Sequence, residues 1–212
     1  MASLLGYIQV EVPKFAVLKT LEGCGEVRKY GPQIRAVVEY DVAPDAPIMD
    51  GLNNPFRSLA GYIFGKNQKR AGDSNEKVAM TAPVVMQKAP AAEKIAMTAP
   101  VVMQAGEGAE AHKRTMSFIM PSQYAKVEDL PLPKDAKVTL VEVPERTYAG
   151  LTFRGTMTPA LAAAKEQELR QAAERSSVKL SQDPAAVQYG AFNPPWCLPW
   201  LKTNEVLIPV AE

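Results

Sequence analysis

The alternation of apolar and polar positions gives the first elements. Ile34, Ala36, Val38 and Tyr40 alternate with Arg35, Val37 and Glu39, the two-residue period of a half-buried strand. Ala16 to Leu21 predicts a strand before it, closed by Glu22-Gly23-Cys24-Gly25. From Asn53 to Gly65 the period changes. Phe56, Leu59, Ala60 and Ile63 fall at i, i+3, i+4 and i+7, with Pro55 near the start and Gly65 placed to end a helix. Extended segments follow around Val78–Gln87 and Thr115–Met120.

The same order then recurs. Lys137–Val143 and Thr147–Phe153 read as a strand pair joined by the turn Pro144-Glu145-Arg146. Thr158-Pro159 forms an N-cap and first-turn pair that opens a helix running to about Arg175. Leu161, Ala164, Glu168, Leu169 and Ala172 mark its narrow, alanine-rich stripe, and Glu166 and Arg170 form an i,i+4 pair on the solvent side. Strands near Ala186–Ala191 and Glu205–Val210 complete the pattern. Strand-strand-helix-strand-strand, twice, predicts one α+β domain over 1–212, with halves of about 15–121 and 135–210. The expected architecture is a distorted antiparallel β-barrel of two pseudo-symmetric ββαββ halves, with the helices packed outside.

The middle of the chain carries a duplication. Lys77-Val-Ala-Met-Thr-Ala-Pro-Val-Val-Met-Gln87 recurs as Lys94-Ile-Ala-Met-Thr-Ala-Pro-Val-Val-Met-Gln104, with Val78 replaced by Ile95. Two copies, spanning 77–104, are too few for a solenoid, which needs at least about three. One copy is therefore expected as a sheet strand and the other as a loop or hairpin extension. Pro83 and Pro100 cannot donate a ladder hydrogen bond, so each copy must break or sit at an edge there. Six of the nine methionines lie between Met80 and Met120; methionine fills irregular space and suits a surface that receives a large flat partner.

Composition narrows the function classes. The chain has 24 basic and 23 acidic residues with no basic stripe, which argues against a nucleic-acid binder. Cys24 and Cys197 lie far apart and outside any CxxC motif, so reduced thiols in the cytosol are expected, with a chloroplast location as the alternative. No apolar run approaches the ~18 residues of a membrane span.

Polar catalytic motifs fail in turn. One histidine, His112, sits in the polar stretch Ala105–Arg114, read as an exposed loop, so a His-based triad or two-His metal site cannot form within the chain. There is no Walker loop, GxGxxG, GxSxG or HExxH. His112 is a weak candidate for an axial ligand. Cys197 and Tyr62 are weaker still, with packing the ordinary role of both. The segment Tyr189–Val206 holds Trp196, Trp200 and several prolines, and reads as a rigid aromatic cover able to wall a ligand cleft.

Several of these stretches together resemble the SOUL haem-binding protein family: Ala-Gly-Tyr-Ile-Phe-Gly-Lys-Asn at 60–67, Lys-Ile/Val-Ala-Met-Thr-Ala-Pro-Val, Met-Ser-Phe-Ile-Met-Pro at 116–121, Tyr-Ala-Gly-Leu-Thr-Phe-Arg-Gly at 148–155, and the tail at 189–206. The doubled strand is similar to the plant and algal branch. The resemblance implies non-covalent binding of haem or another tetrapyrrole such as protoporphyrin, in an open apolar cleft beside the first helix. The positions matching that helix face are Asn53, Phe56, Arg57, Ala60 and Gly61. On this reading Phe56, Leu59 and Ala60 meet the macrocycle, Arg57 and Lys66 pair with its propionates, and Trp196 walls the cleft. His112 lies outside any matching motif. The expectation is a monomeric carrier or buffer rather than an enzyme. The rivals are an enzyme acting on haem or a small molecule, and a protein-interaction module that docks through the methionine-rich repeat.

Overall fold

The computed structural model describes residues 5–43, 46–88, 112–194 and 196–211. The strands are β1 (Phe15–Thr20), β2 (Glu26–Tyr30), β3 (Gln33–Val42), β4 (Asn67–Gln68), β5 (Val84–Lys88), β6 (His112–Ile119), β7 (Leu132–Pro133), β8 (Val138–Val143), β9 (Arg146–Arg154), β10 (Gln188–Ala191) and β11 (Thr203–Pro209). Helix α1 covers Asn53–Ile63 and α2 covers Pro159–Arg175. Nine strands form one antiparallel sheet in the order β1-β2-β9-β11-β10-β5-β6-β3-β8, while β4 and β7 pair separately. The result is an α+β fold in which a mostly antiparallel sheet curls into a half-barrel.

Both helices follow local rules. Thr158 Oγ1 accepts the Leu161 N–H at 3.2 Å, with Pro159 in the first turn of α2. α1 ends at Phe64, and Gly65 follows at φ +111°, a conformation that costs a side-chain-bearing residue but not glycine. Beyond it the buried Asn67 ties the connection down. Its amide donates to the Tyr62 and Glu76 carbonyls at 2.7 Å each, and its oxygen accepts the Glu76 N–H at 2.8 Å.

α1 packs on β3, β6 and β8, and α2 on β9 and β11. Leu59, Tyr62 and Ile63 of α1 join Ala36 and Val38 of β3 and Met116 of β6 in the same core as Leu169, Ala172 and Ala173 of α2. The buried face of α2 differs from the expected stripe. Ala162, Leu169, Ala172 and Ala173 are buried, whereas Ala164 is exposed and Glu168 half-buried. Glu166 pairs with Arg170 at 2.9 Å as read, but it also accepts the Tyr189 hydroxyl at 2.6 Å, hooking α2 to β10.

Two strand expectations are corrected. β8 and β9 do not pair with each other: β8 lies on β3 and β9 lies between β2 and β11. The intervening Pro144-Glu145 therefore connects strands at different places in the sheet, which no local pattern encodes. The polar stretch before Arg114 also ends in structure, since β6 begins at His112 opposite Val42. Within the first repeat, Pro83 precedes β5 and so needs no ladder bond there; the second copy, 94–104, falls outside the described residues.

The pleat sends alternate residues to opposite faces. Ala36, Val38, Ala149, Leu151, Val206 and Ile208 belong to the helix-covered core. The alternate positions Arg28, Arg35, Tyr148, Gln188 and Glu205 are buried as well, because the sheet curls over its other face. Arg35 on β3 donates to the Gln188 side chain on β10 at 3.2 Å, although β6 and β5 separate these strands in the sheet. Arg28 reaches Glu205 at 3.0 Å, Glu26 at 2.9 Å and Thr152 at 3.0 Å. Two glycines make the room. A Cβ on Gly150 would stand 3.0 Å from the Arg28 guanidinium, and one on Gly190 would stand 2.9 Å from Glu205 Cγ.

Two outcomes follow from this packing. Leu59→Ala removes a fully buried side chain and should cost about 2–5 kcal/mol in urea unfolding; an unchanged midpoint would show that α1 is not anchored there. Burial pushes Glu205 from 4.5 up to about 7, against the pull of Arg28. The folded state therefore holds a proton that the unfolded chain has released. That contribution to stability is complete below about pH 4.5 and is lost as pH rises to about 7, a window worth at most about 3 kcal/mol. Glu205→Gln should flatten the urea midpoint across this range relative to wild type; parallel profiles would refute the assignment.

Candidate ligand-binding site

α1 has two faces. Its inner residues Pro55, Leu59, Tyr62 and Ile63 are buried, and Asn53, Arg57 and Phe64 are exposed on the other side. Between them Ala60 and Gly61 form a half-buried, low-profile strip. Phe56 stands at the margin, 37% exposed, with its ring edge-on to Phe118 of β6 at a centroid distance of 5.6 Å. Phe118 thus holds Phe56 in place while leaving part of the ring to solvent. Such tilted aromatic pairs contribute ~0.5–1.5 kcal/mol beyond area burial.

Lys66 borders the same strip. Its backbone N–H donates to the Gly61 carbonyl at 2.8 Å, and its side-chain Cδ would lie 3.0 Å from a Cβ on Gly61. A glycine at 61 therefore lets the lysine stem lie down across the helix. The exposed Lys66 also helps hold Asp135 below the ordinary carboxylate range, after hydrogen bonds from the Ser58 side chain and the Lys137 backbone. Arg57 and Lys66 are thus two cations flanking an apolar strip.

The sheet continues this surface. Phe118 pairs with Val84 of β5, and Val84 pairs with Ala191 of β10, so these side chains share the helix-bearing face. Val84 and Ala191 are only half-buried. The connection 192–202 leaves the sheet directly after Ala191. In it Trp196 is 67% exposed, and Trp200 is similarly open. Asn193 anchors the connection, donating to the Gly6 carbonyl at 3.2 Å and accepting the Thr203 N–H at 2.6 Å.

The structure therefore gathers Asn53, Phe56, Arg57, Ala60, Gly61 and Lys66 on or beside one outward face. Leu59 is a correction. At 0% exposure it lies wholly in the core, because its position on the helix points to the sheet, and it supports the face from beneath without reaching a ligand. Phe118, Val84 and Ala191 went unnoticed in the sequence; only the strand register reveals them. A cleft of about 960 Å³ opens elsewhere, walled by Ile34, Ile119, Met120, Pro121, Tyr124 and neighbouring residues, none of them on α1.

The candidate iron ligands fare unequally. Tyr62 is buried and its hydroxyl donates to the Pro131 carbonyl at 2.9 Å; burial pushes its ionisation above the ordinary tyrosine range, so it is not placed to ligate at the surface. Cys197 is buried, with its thiol directed to the Leu198 carbonyl at 3.6 Å. The His112 backbone lies in β6, and its side chain is outside the described residues. Among the described residues no group of three or more His, Cys, Asp or Glu is placed to hold a metal ion, and no helix is long and apolar enough to cross a membrane.

Comparison with known proteins bears on the fold and the family separately. A hydrolase from Listeria innocua is similar in structure, with a TM-score of 0.57 at 12% identity over 90% of this chain and 93% of that one. The C-terminal domain of EcmrR is similar at a TM-score of 0.53 and 11% identity, covering 88% and 96%. At such identities the likeness is one of fold: the curled antiparallel sheet with two helices. Among curated protein sequences none is similar enough to count as a relative. The family model described as SOUL heme-binding protein matches residues 10–93 and 86–209, two segments that overlap within the duplicated stretch and span almost the whole length, and the chain therefore belongs to the SOUL haem-binding protein family.

Proposed function

We propose that this protein binds haem or another tetrapyrrole non-covalently on the outward face of α1, as a carrier or buffer rather than as an enzyme. The observation that carries the reading is the apolar strip Phe56–Ala60–Gly61 flanked by Arg57 and Lys66. A flat macrocycle suits a strip with no bulky side chain at its centre, and the two cations suit its propionates. An arginine fork can bind a carboxylate bidentately. At ~25 cal/mol per Å² of apolar area, a half-covered porphyrin gains several kcal/mol before the losses of association are subtracted. Val84 and Ala191 extend the apolar floor, and the exposed Trp196 is assigned the far wall.

Affinity on this reading comes from burial and propionate pairing and does not depend on an axial bond from His112. Haem and iron-free protoporphyrin then bind comparably. The proposal also includes two pseudo-symmetric ββαββ halves, over about 15–121 and 135–210. With β1 set aside, the strand order β2-β9-β11-β10 against β8-β3-β6-β5 supports it, since each half contributes its first strand to the other.

The test is a titration with haemin and with protoporphyrin IX, followed by Soret absorbance and tryptophan quenching, on wild type and on Phe56→Ala/Arg57→Ala. Saturable one-to-one binding of both ligands, weakened about tenfold or more by the double change, is the expected result. Binding unaffected by the double change would move the site off α1. Steady product accumulation at catalytic protein concentration would replace the carrier with an enzyme.

A further inference from the structure

The opposite, concave face of the sheet encloses a feature that tetrapyrrole binding on α1 does not use. A cavity of about 30 Å³ lies there, lined by side chains from most of the large strands and from the N-terminal arm, among them Pro13, Phe15, Arg35, Tyr148, Phe192 and Glu205. Its walls are mostly apolar, and its floor carries the buried charges. As it stands it has room for about one or two waters.

The two arginines of this face are provided for differently. Arg28 meets two carboxylates, Glu26 and Glu205, together with the Thr152 and Tyr30 hydroxyls, and its guanidinium lies 4.5 Å from the centre of the Phe15 ring. Arg35, only 8% exposed, has no carboxylate within hydrogen-bond reach among the described residues. Its Nε and Nη2 share the Gln33 amide oxygen at 3.1 and 2.9 Å, and its Nη1 donates to the Gln188 amide oxygen at 3.2 Å. A guanidinium has five N–H groups. Two therefore remain without an acceptor among the described residues, one on each terminal nitrogen. A buried cation without an anionic partner is costly, and apolar residues in its place commonly stabilise a fold. Retaining one at the floor of an apolar cavity makes sense if an anion arrives from outside. Glu205 lies near enough to act on Arg35 through space, but its hydrogen bond goes to Arg28, so the free N–H groups of Arg35 have no carboxylate bonded to them.

The wall able to yield is the arm, residues 5–14. Val12 and Pro13 line the cavity. The arm belongs to no strand and is tied near them through Glu11, whose carbonyl accepts the Ala82 N–H at 2.9 Å and whose carboxylate accepts the Ser122 N–H at 3.0 Å. Few backbone bonds and high exposure are the marks of a segment that opens locally at low cost.

We propose that the concave face is a second ligand site, in which the Arg35 guanidinium takes the carboxylate of a small apolar acid and residues 5–14 move aside to admit its hydrocarbon part. The site is independent of the tetrapyrrole reading, since it lies on the other face of the sheet from α1. It selects one carboxylate on an apolar body, because the cavity presents one incompletely used guanidinium within apolar walls.

Hexanoate titrated into the full-length protein, with hexanamide as its uncharged counterpart, tests this by calorimetry and by the NMR signal of the Arg35 Nε–H. The expected result is saturable one-site binding of hexanoate that shifts that signal, with hexanamide and the Arg35→Gln variant each at least about tenfold weaker. Phe56→Ala/Arg57→Ala should bind hexanoate as wild type does, whatever haemin does with that variant. Equal binding of hexanoate and hexanamide to wild type, or an unmoved Arg35 signal at saturation, would overturn the proposal even if Arg35→Gln fails to fold. Loss of hexanoate binding in Phe56→Ala/Arg57→Ala would overturn it too, by placing the acid on the outer face.

Discussion

The constraint on which the rest depends is that a pleated strand has two faces and this sheet buries both. One face is closed by α1 and α2 in the ordinary way, with aliphatic side chains. The other closes on itself, because nine strands curl until β3 and β10 exchange a side-chain hydrogen bond. Polar groups on that inner face are largely withdrawn from bulk water and bond to one another, Arg28 with Glu26 and Glu205, Arg35 with Gln33 and Gln188, Gln188 with Tyr148, leaving two Arg35 N–H groups over. Buried polar groups without such partners would cost more than the curl could return. Gly150 and Gly190 belong to the same solution, since a methyl group at either would displace the charged side chain beside it.

Fixing the sheet in this way also fixes what the outer face offers. α1 is pinned by Leu59, Tyr62 and Ile63 below and by the Tyr62 hydroxyl on Pro131, and Asn67 holds the turn that follows. The helix can then carry a functional surface on its other side without structural cost. Phe56 and Lys66 show how little freedom that surface has. The phenyl ring rests on Phe118, and the lysine stem lies across Gly61. A surface prepared in this way loses less entropy when a ligand settles on it.

The two helices were legible from the chain because their signals are local. Thr158-Pro159 and the Phe64–Gly65 ending of α1 act within a turn or two of backbone, and the structure uses both. Most strands were legible too, but β2, five residues long, left no clear period, and the partners of β8 and β9 were misjudged. A two-residue period tells which side of a strand is apolar. It carries nothing about which strand lies alongside. The candidate face owes more to resemblance than to period: the family motifs singled out Asn53, Arg57 and Gly61, while helical spacing grouped Phe56, Leu59, Ala60 and Ile63 and could not tell that Leu59 is wholly covered while Ala60 is not.

By itself, then, the sequence determined the helix limits, the apolar face of each main strand, and the family, whose motifs recur in order along nearly the whole chain. Only the tertiary structure decided that Phe118 lies against Phe56 with Val84 and Ala191 on the same face of the sheet, that Trp196 stands in solvent, and that Arg35 is buried without a carboxylate hydrogen-bonded to it. The alternation around Arg35 reads the same on a strand with one wet face as on a strand curled inward. The difference lies in the closure of the sheet, a sum of twists and registers over nine strands that no short stretch of residues contains.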